Sequence, residues 1–510
     1  MSSLPPTLPI VQRSRIFVFA CLLFAATAFP AQADVAELAA FTERGMGLWH
    51  VPGMAVAVVS RDEIQFSQGF GQTALVDGQP VDEHTLFAIA STTKAMVVAG
   101  VLMLVDEGKV SLDDPIIKHI PELHFAPSMS GETIRVRDLL AHRTGLPSTD
   151  FWTFFQNMPL DEQITRLRDV NQDAPVRSRL IYQNTMFEIA GLLIERLSGE
   201  RWDLFLKRRL WQPIGMNETH GARGQIVPGQ VHVMPYYFTD DKLVPAEWDL
   251  PADNADAAGS AWSSVHDMSL WAQFLLRDGV TAGGERLLTE ASFAEMFEPQ
   301  QLAGVADFYP TAALTKPHWR SYGLGWFQQD FQGRKIDFHT GSLGGLIALI
   351  GLDREGNRAV IILANRDHAE MRHAVLWEVM DNSSADQRRD WNQEIFDLYA
   401  KTASEGEAKW QEGVDKRLKK TKPALATEAY AGTYRSKQNG DLVVEQNGRA
   451  LQLKTKLGPV TLQHWQLETF LLESVPWNLR ELATFHIGSD ATVSSFEVFG
   501  DSFVRVQADE

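Results

Sequence analysis

Ser91-Thr92-Thr93-Lys94, Tyr182-Gln183-Asn184 and His339-Thr340-Gly341 each occur once in the 510 residues, in that order. Their residue types point to nucleophilic catalysis at a serine. A serine hydroxyl is a weak nucleophile and needs a base within hydrogen-bond reach. Residues three apart on a helix share a face, so the Lys94 amine can reach the Ser91 hydroxyl. A lysine at the start of an apolar helix is partly desolvated and lies near the positive helix end, and both disfavour its charged form. Tyr182 offers a phenol that can pass a proton between Ser91 and a leaving group if Lys94 stabilises its anion. Asn184 can bond Lys94 and a substrate amide carbonyl. The Ser91 backbone N–H, at a helix start, points where a carbonyl oxygen would become an oxyanion, and the N–H of Ser342 across a cleft is the expected second donor. Gly341 permits close backbone approach, and His339 is placed either to bind a substrate carboxylate or to tune the Tyr182–Lys94 pair. Thr340, between them, is grouped with the substrate-binding positions. Each pattern is weak alone: a Ser-x-x-Lys arises by chance about once or twice in a chain of this size.

These groups can meet only if the elements carrying them pack together. From Ser91 to Val105 the chain is apolar almost all round, which predicts a helix at the centre of a domain, ended by Gly108 and Lys109. A second helix is expected from Thr185 to Leu197, stopped by Gly199, and another from His368 to Met380. Gly53 to Ser60 and Ile64 to Phe70 read as a β-hairpin, as do Leu346 to Leu352 and Arg358 to Ala364. An early hairpin, a helical middle and a late hairpin predict one domain whose sheet is assembled from both ends of the chain. Residues 381–424 read as a polar, helix-prone connector, and the basic run Lys416 to Lys422 as a solvated face. Residues 425–510 read as a separate β-rich domain, with strands such as Leu442 to Glu445, Leu451 to Lys454 and Phe496 to Val506, and a tight turn at Asn447-Gly448.

Composition narrows the partners. The net charge of -18 disfavours nucleic acid and anionic membrane surfaces. Arg13 and Arg15 precede an apolar run from Ile16 to Phe29, and Ala31-Gln32-Ala33 offers a small-x-small cleavage pattern. Residues 1–33 therefore read as a signal peptide cleaved near Ala33-Asp34, which predicts a periplasmic or secreted protein without stable membrane insertion. An uncleaved anchor is the other reading of the same run. The single cysteine, Cys21, lies inside it, so thiol catalysis and cysteine-bound metals are excluded from the mature chain. Gly-x-Ser-x-Gly, His-Glu-x-x-His, P-loop and dinucleotide patterns are missing from the sequence. The fourteen histidines show no metal spacing, so no metal and no cofactor is expected.

The three motifs, in this order, make the sequence resemble the serine β-lactamase and penicillin-binding-protein superfamily, in its class C β-lactamase and D-alanyl-D-alanine carboxypeptidase branch. Leu139 to Leu146, Pro213-Ile214-Gly215-Met216, Ala258-Gly259-Ser260 with Asp267-Met268, and Tyr322-Gly323-Leu324-Gly325-Trp326 extend the resemblance over about Val35 to Met380. It implies an α+β fold, an antiparallel sheet flanked by helices with a helical subdomain as the other cleft wall, and hydrolysis through a covalent acyl-serine. Ser91, Lys94 and Tyr182 would be catalytic, and Asn184, His339, Thr340, Gly341 and Ser342 would bind substrate or oxyanion. Histidine at 339, where class C β-lactamases have lysine, is similar to D,D-carboxypeptidases, D-aminopeptidases and related esterases. The implied substrate is a small molecule or short peptide, with D-amino-acid peptides or small esters favoured. A β-lactamase in the narrow sense and a non-turnover sensor of cell-wall fragments are the alternatives. Glu428 to Tyr434 resembles the start of the small lipocalin-like domain appended to many relatives. Oligomeric state is left open.

Overall fold

The computed structural model describes residues 35–507 apart from 127–133, 157, 247–256, 385, 457 and 475–478. The signal-peptide reading of residues 1–33 lies outside the described residues. Among the described residues no helix is long and apolar enough to cross a membrane.

An antiparallel sheet of eight strands forms the frame. In chain order they are β1 (Gly53–Val59), β2 (Ile64–Gly71), β3 (Gln301–Leu302), β4 (Arg320–Tyr322), β5 (Phe327–Phe331), β6 (Arg334–Leu343), β7 (Leu346–Asp353) and β8 (Arg358–Ala364). Their spatial order is β2-β1-β8-β7-β6-β5-β4-β3, so the early hairpin pairs with the late one, Val56 opposite Ile362. β1 and β7 are buried along their whole length because both sheet faces are covered. Alternate residues of β1 serve different cores. Ala55, Ala57 and Val59 face the mainly helical side, and Met54, Val56 and Val58 face the side of the terminal helices.

The helices used below are α1 (Val35–Trp49), α2 (Thr93–Asp106), α3 (Asn184–Ser198), α4 (Val265–Leu276), α5 (Met371–Met380) and α6 (Trp391–Lys416). α2 is buried from Thr93 through Leu104, matching its lack of a polar face. Gly199, at φ +77°, ends α3 as its left-handed cap. α5 starts at Met371, three residues later than expected, and His368 ahead of it takes φ +47°. The stretch read as a connector contains α6, whose first turns bury Trp391, Asn392 and Ile395 against the main domain. Its far end meets the C-terminal domain, where Trp410 packs 5.3 Å from Trp465.

Residues from Gly432 to Arg505 form a closed eight-stranded barrel, the last strand pairing back on the first at Tyr434 and Arg505. Arg505 also donates to the carbonyls of Ala429 and Ala431, sealing the seam. The expected strand from Phe496 to Val506 is two strands, Val493–Val498 and Asp501–Arg505. Phe499 and Gly500 between them take φ +55° and +71°, the signature of a two-residue hairpin turn.

Candidate active site

The strand Phe87–Ala88 leads into a 3-10 turn, Ala90–Thr92, that precedes α2. Ser91 thus sits just ahead of the α-helix instead of opening it. Ala90 takes φ +44°, a left-handed conformation that costs a residue with a Cβ about 1–2 kcal/mol. This strain is held directly before the nucleophile by packing on both sides. One flank is Gly259, where an added Cβ would lie 3.5 Å from the Ser91 nitrogen, and the other is Gly341, where it would lie 3.0 Å away. Two residues without side chains therefore wall the space around the Ser91 N–H.

Lys94 is fully buried, and its Nζ lies 3.0 Å from Ser91 Oγ, 2.8 Å from Asn184 Oδ1 and 2.7 Å from the Ala258 carbonyl oxygen. Two of these partners can only accept. These two fixed acceptors hold the amine at hydrogen-bond distance from the Ser91 hydroxyl, the placement a base for the nucleophile needs. Tyr182 stands over the same amine, with Nζ 4.9 Å from its ring centroid. Its ring is held by His142 at 4.1 Å and lies 6.2 Å from His339. The structure thus brings Ser91, Lys94, Tyr182, Asn184 and His339 to one place, and Ser91, Tyr182 and Asn184 remain partly exposed there.

The end of β6 beyond Phe338, where its pairing with β5 stops, forms the facing edge. Arg372 donates to the Gly341 carbonyl oxygen at 2.6 Å and to Ser342 Oγ at 2.9 Å, and is held in turn by both oxygens of Glu370. In a planar trans peptide the C=O and the following N–H point in opposite directions. Anchoring the Gly341 oxygen therefore fixes the direction of the Ser342 N–H, the expected second oxyanion donor. The Thr340 hydroxyl is paired with Tyr309 at 2.6 Å and is nearly buried.

The profile of the β-lactamase family matches residues 38–384. The chain belongs to the β-lactamase family. A second profile, a domain of unknown function (DUF3471), matches residues 416–509. The chain is 29% identical over 390 residues to an unguisins hydrolase of Aspergillus campestris, covering 72% of this chain and 69% of that protein. Its fold is similar to the octameric penicillin-binding protein homologue from Pyrococcus abyssi, at 20% identity and TM-score 0.61 over 92% of this chain and 100% of that one. It is also similar to a D-stereospecific amidohydrolase from Streptomyces, at 20% identity and TM-score 0.55 over 68% and 99%. At that identity the two structures speak to the fold alone. In coarse terms, the protein is a serine hydrolase of the β-lactamase superfamily.

Within this β-lactamase-family site, His339 is a buried neutral ring. Its Nε2 is 3.0 Å from the Tyr322 hydroxyl and its Nδ1 2.6 Å from the Thr340 carbonyl. Burial, aided by the charge of Lys94, pushes its pKa down to about 3. Of the two roles expected from sequence, a neutral ring brings no charge of its own to a substrate carboxylate, and it stands beside Tyr182 and Lys94, the pair it was expected to tune. His142 is likewise buried and held well below the ordinary histidine range, by burial first and then by Lys94. Its Nδ1 accepts from the Gln183 N–H at 3.1 Å, so it is a brace for the Tyr182 segment. Burial also lowers His373, to about 4.

These rings set an acid limit on stability. Above pH about 6.5 they are neutral in both folded and unfolded chains. Below it the unfolded chain takes up protons that the folded chain refuses until pH about 4 for His373 and about 3 for His339, so stability falls as pH falls. Denaturant midpoints measured from pH 7 to 4.5 are expected to decline, and His339→Gln to flatten the slope by about 1.4 kcal/mol per pH unit.

Three functional positions had escaped the sequence reading: Arg372, Asp150 and Asn439. Asp150 Oδ1 accepts from Asn184 Nδ2 at 2.9 Å, which fixes the amide so that its oxygen faces Lys94. Burial raises its pKa, opposed by Asn184, Ser148 and Lys94. The next turn, Trp152–Gln156, is π-helical and rests on the barrel. The Trp152 indole N–H donates to Asn439 Oδ1 at 2.9 Å, the Lys456 N–H to the Phe155 carbonyl at 3.1 Å, and Phe151 and Phe155 pack 5.0 and 5.1 Å from Phe499. The C-terminal barrel therefore supports the segment that orients Asn184. Asn439→Ala strands the buried indole N–H, an expected loss of about 1–3 kcal/mol. Thermal melts should show that loss, and steady-state kinetics a several-fold fall in kcat with KM little changed.

Proposed function

We propose that this protein cleaves peptide, amide or ester bonds through an acyl-Ser91 intermediate, with D-amino-acid peptides or small esters as its favoured substrates. The observation that carries the reading is the 3.0 Å contact between Lys94 Nζ and Ser91 Oγ, with the amine also held by Asn184 Oδ1 and the Ala258 carbonyl oxygen. Ser91 Oγ attacks the carbonyl carbon while its proton passes to Lys94, directly or through Tyr182. The N–H groups of Ser91 and Ser342 receive the oxyanion. The C–N or C–O bond then breaks, Tyr182 returns the proton to the leaving nitrogen or oxygen, and water hydrolyses the acyl-serine by the reverse proton path. A neutral His339 supplies no fixed charge for a substrate carboxylate, which favours uncharged amide and ester groups over β-lactams at that edge. The names of a related unguisins hydrolase and of the D-stereospecific amidohydrolase with a similar fold agree with this class. Export to the periplasm or beyond, from the apolar run after Arg15, belongs to the same proposal.

The test compares turnover of D- and L-alanine p-nitroanilides, a short p-nitrophenyl ester and nitrocefin, alongside fluorophosphonate labelling read by intact mass. D-anilide or ester turnover with slow nitrocefin turnover is expected, with one adduct absent from Ser91→Ala. Fastest turnover of nitrocefin would make the protein a β-lactamase in the narrow sense. A stable adduct without any turnover would make it a sensor, and an adduct that persists in Ser91→Ala rejects the mechanism.

A further inference from the structure

We propose that His84, Glu218 and His266 form a binding site for a divalent transition-metal ion of the zinc type. One ligand atom from each lies within 4.8 Å of the others, although the residues come from separate stretches of chain. His84 precedes the strand Phe87–Ala88, Glu218 lies in the loop after Met216, and His266 is in the first turn of α4. Two imidazoles and a carboxylate with one coordination position left open are a common zinc donor set.

The surroundings are those of a metal site. Asp267 Oδ1 lies 3.2 Å from His266 Nδ1, which leaves Nε2 for an ion, as in a carboxylate–histidine–metal arrangement. Asp267 is itself fixed, accepting from the Glu218 N–H at 2.8 Å and the Thr219 hydroxyl at 2.9 Å. The Ser264 hydroxyl donates to Glu218 Oε2 at 2.6 Å, and Glu218 Oε1 is 2.8 Å from His84 Nδ1. An ion would replace that last contact, and half of the His84 side chain is open to solvent for its entry.

Charge points the same way. Glu83, Glu218 and Asp267 converge here, and among the described residues their ion pairs are all with His84 and His266. With neutral imidazoles the cluster is left with excess negative charge, which a dication offsets. A bound ion would also tie together the segment before the strand Phe87–Ala88 and the one after its partner strand Trp262–Ser263. The first of these strands runs directly into the Ser91 turn, and the Ala258 carbonyl and Gly259 precede the second.

The experiment uses the full chain, stripped with chelator and dialysed, then titrated with Zn2+ against a chromophoric chelator. One zinc per chain is expected, with the melting temperature rising by about 3–4 °C at a hundredfold excess over Kd. His84→Ala and His266→Ala should each weaken binding at least tenfold, while Ser91→Ala binds as the wild type does. Circular dichroism checks that the His variants fold, and Glu218→Gln, which keeps the side-chain shape, provides a third reading. No zinc uptake at micromolar concentration, or equal uptake by all three ligand variants, overturns the site. Loss of zinc in Ser91→Ala would move the ion to the catalytic cleft and also overturn it.

Discussion

Ser91→Ala is expected to lower kcat for any turned-over substrate by about four orders of magnitude or more, with the fold intact. The side chain is partly exposed and makes no packing contribution that alanine lacks beyond the hydroxyl, so melting temperature should barely move. Lys94→Met is expected to lose nearly as much, because the 3.0 Å contact makes hydroxyl and amine one proton-transfer unit. Groups that act as a unit give non-additive losses. The double variant should thus be no slower than either single variant. Losses that multiply in the double variant would show that Lys94 acts independently of Ser91. Lys94→Met keeps the buried volume roughly constant but removes the hydrogen bonds that Lys94 gives to the Ala258 carbonyl and Asn184 Oδ1, so it should also melt earlier.

Gly341→Ala is the second large effect. A Cβ at this position would lie 2.4 Å from the Ile89 carbonyl oxygen, 2.9 Å from Ala90 Cβ and 3.0 Å from the Ser91 nitrogen. Two of those atoms are backbone in a turn already at positive φ, so the turn cannot yield and β6 must move outward. Outward movement separates the Ser342 N–H from the Ser91 N–H. Loss of one oxyanion donor typically lowers kcat by about 10²–10³-fold. Because the donor acts on the transition state, the fall should appear in kcat and kcat/KM alike, with KM little changed. Wild-type kcat in Gly341→Ala would mean that the second donor is not on β6.

How much of this was readable beforehand depends on whether a signal is local. Ser91 and Lys94 are three residues apart at the head of an unusually apolar stretch, so their pairing is written in the spacing. Tyr182-Gln183-Asn184 and His339-Thr340-Gly341 carry short patterns of their own, and the two hairpins end within a residue or so of their expected limits. Arg372 has no such mark. It reaches Gly341 across 31 positions because α5 packs under β6, and only the folded chain shows it. Asp150 reaches Asn184 across 34 positions and Asn439 reaches Trp152 across 287, again without any periodic cue. The strands β3 to β5 are two to five residues long and carry Gln301, Gln328, Gln329 and Asp330, so they lack the apolar alternation that reveals a strand. Positive φ at Ala90 was equally hidden, since alanine gives no hint of a left-handed turn. The neutral state of His339 follows from burial and a neighbouring cation, both tertiary facts.

The aromatic contact between Phe151, Phe155 and Phe499 bears on how the enzyme can be handled. A truncated chain ending near Met380 would bare those rings and the Trp152 indole to water as a contiguous greasy scar. Such a fragment would be prone to self-association even with every catalytic side chain present. Trimming to a minimal catalyst would call for hydrophilic resurfacing of positions 151 and 155 and a new acceptor for the indole, because the barrel is what keeps that surface from water.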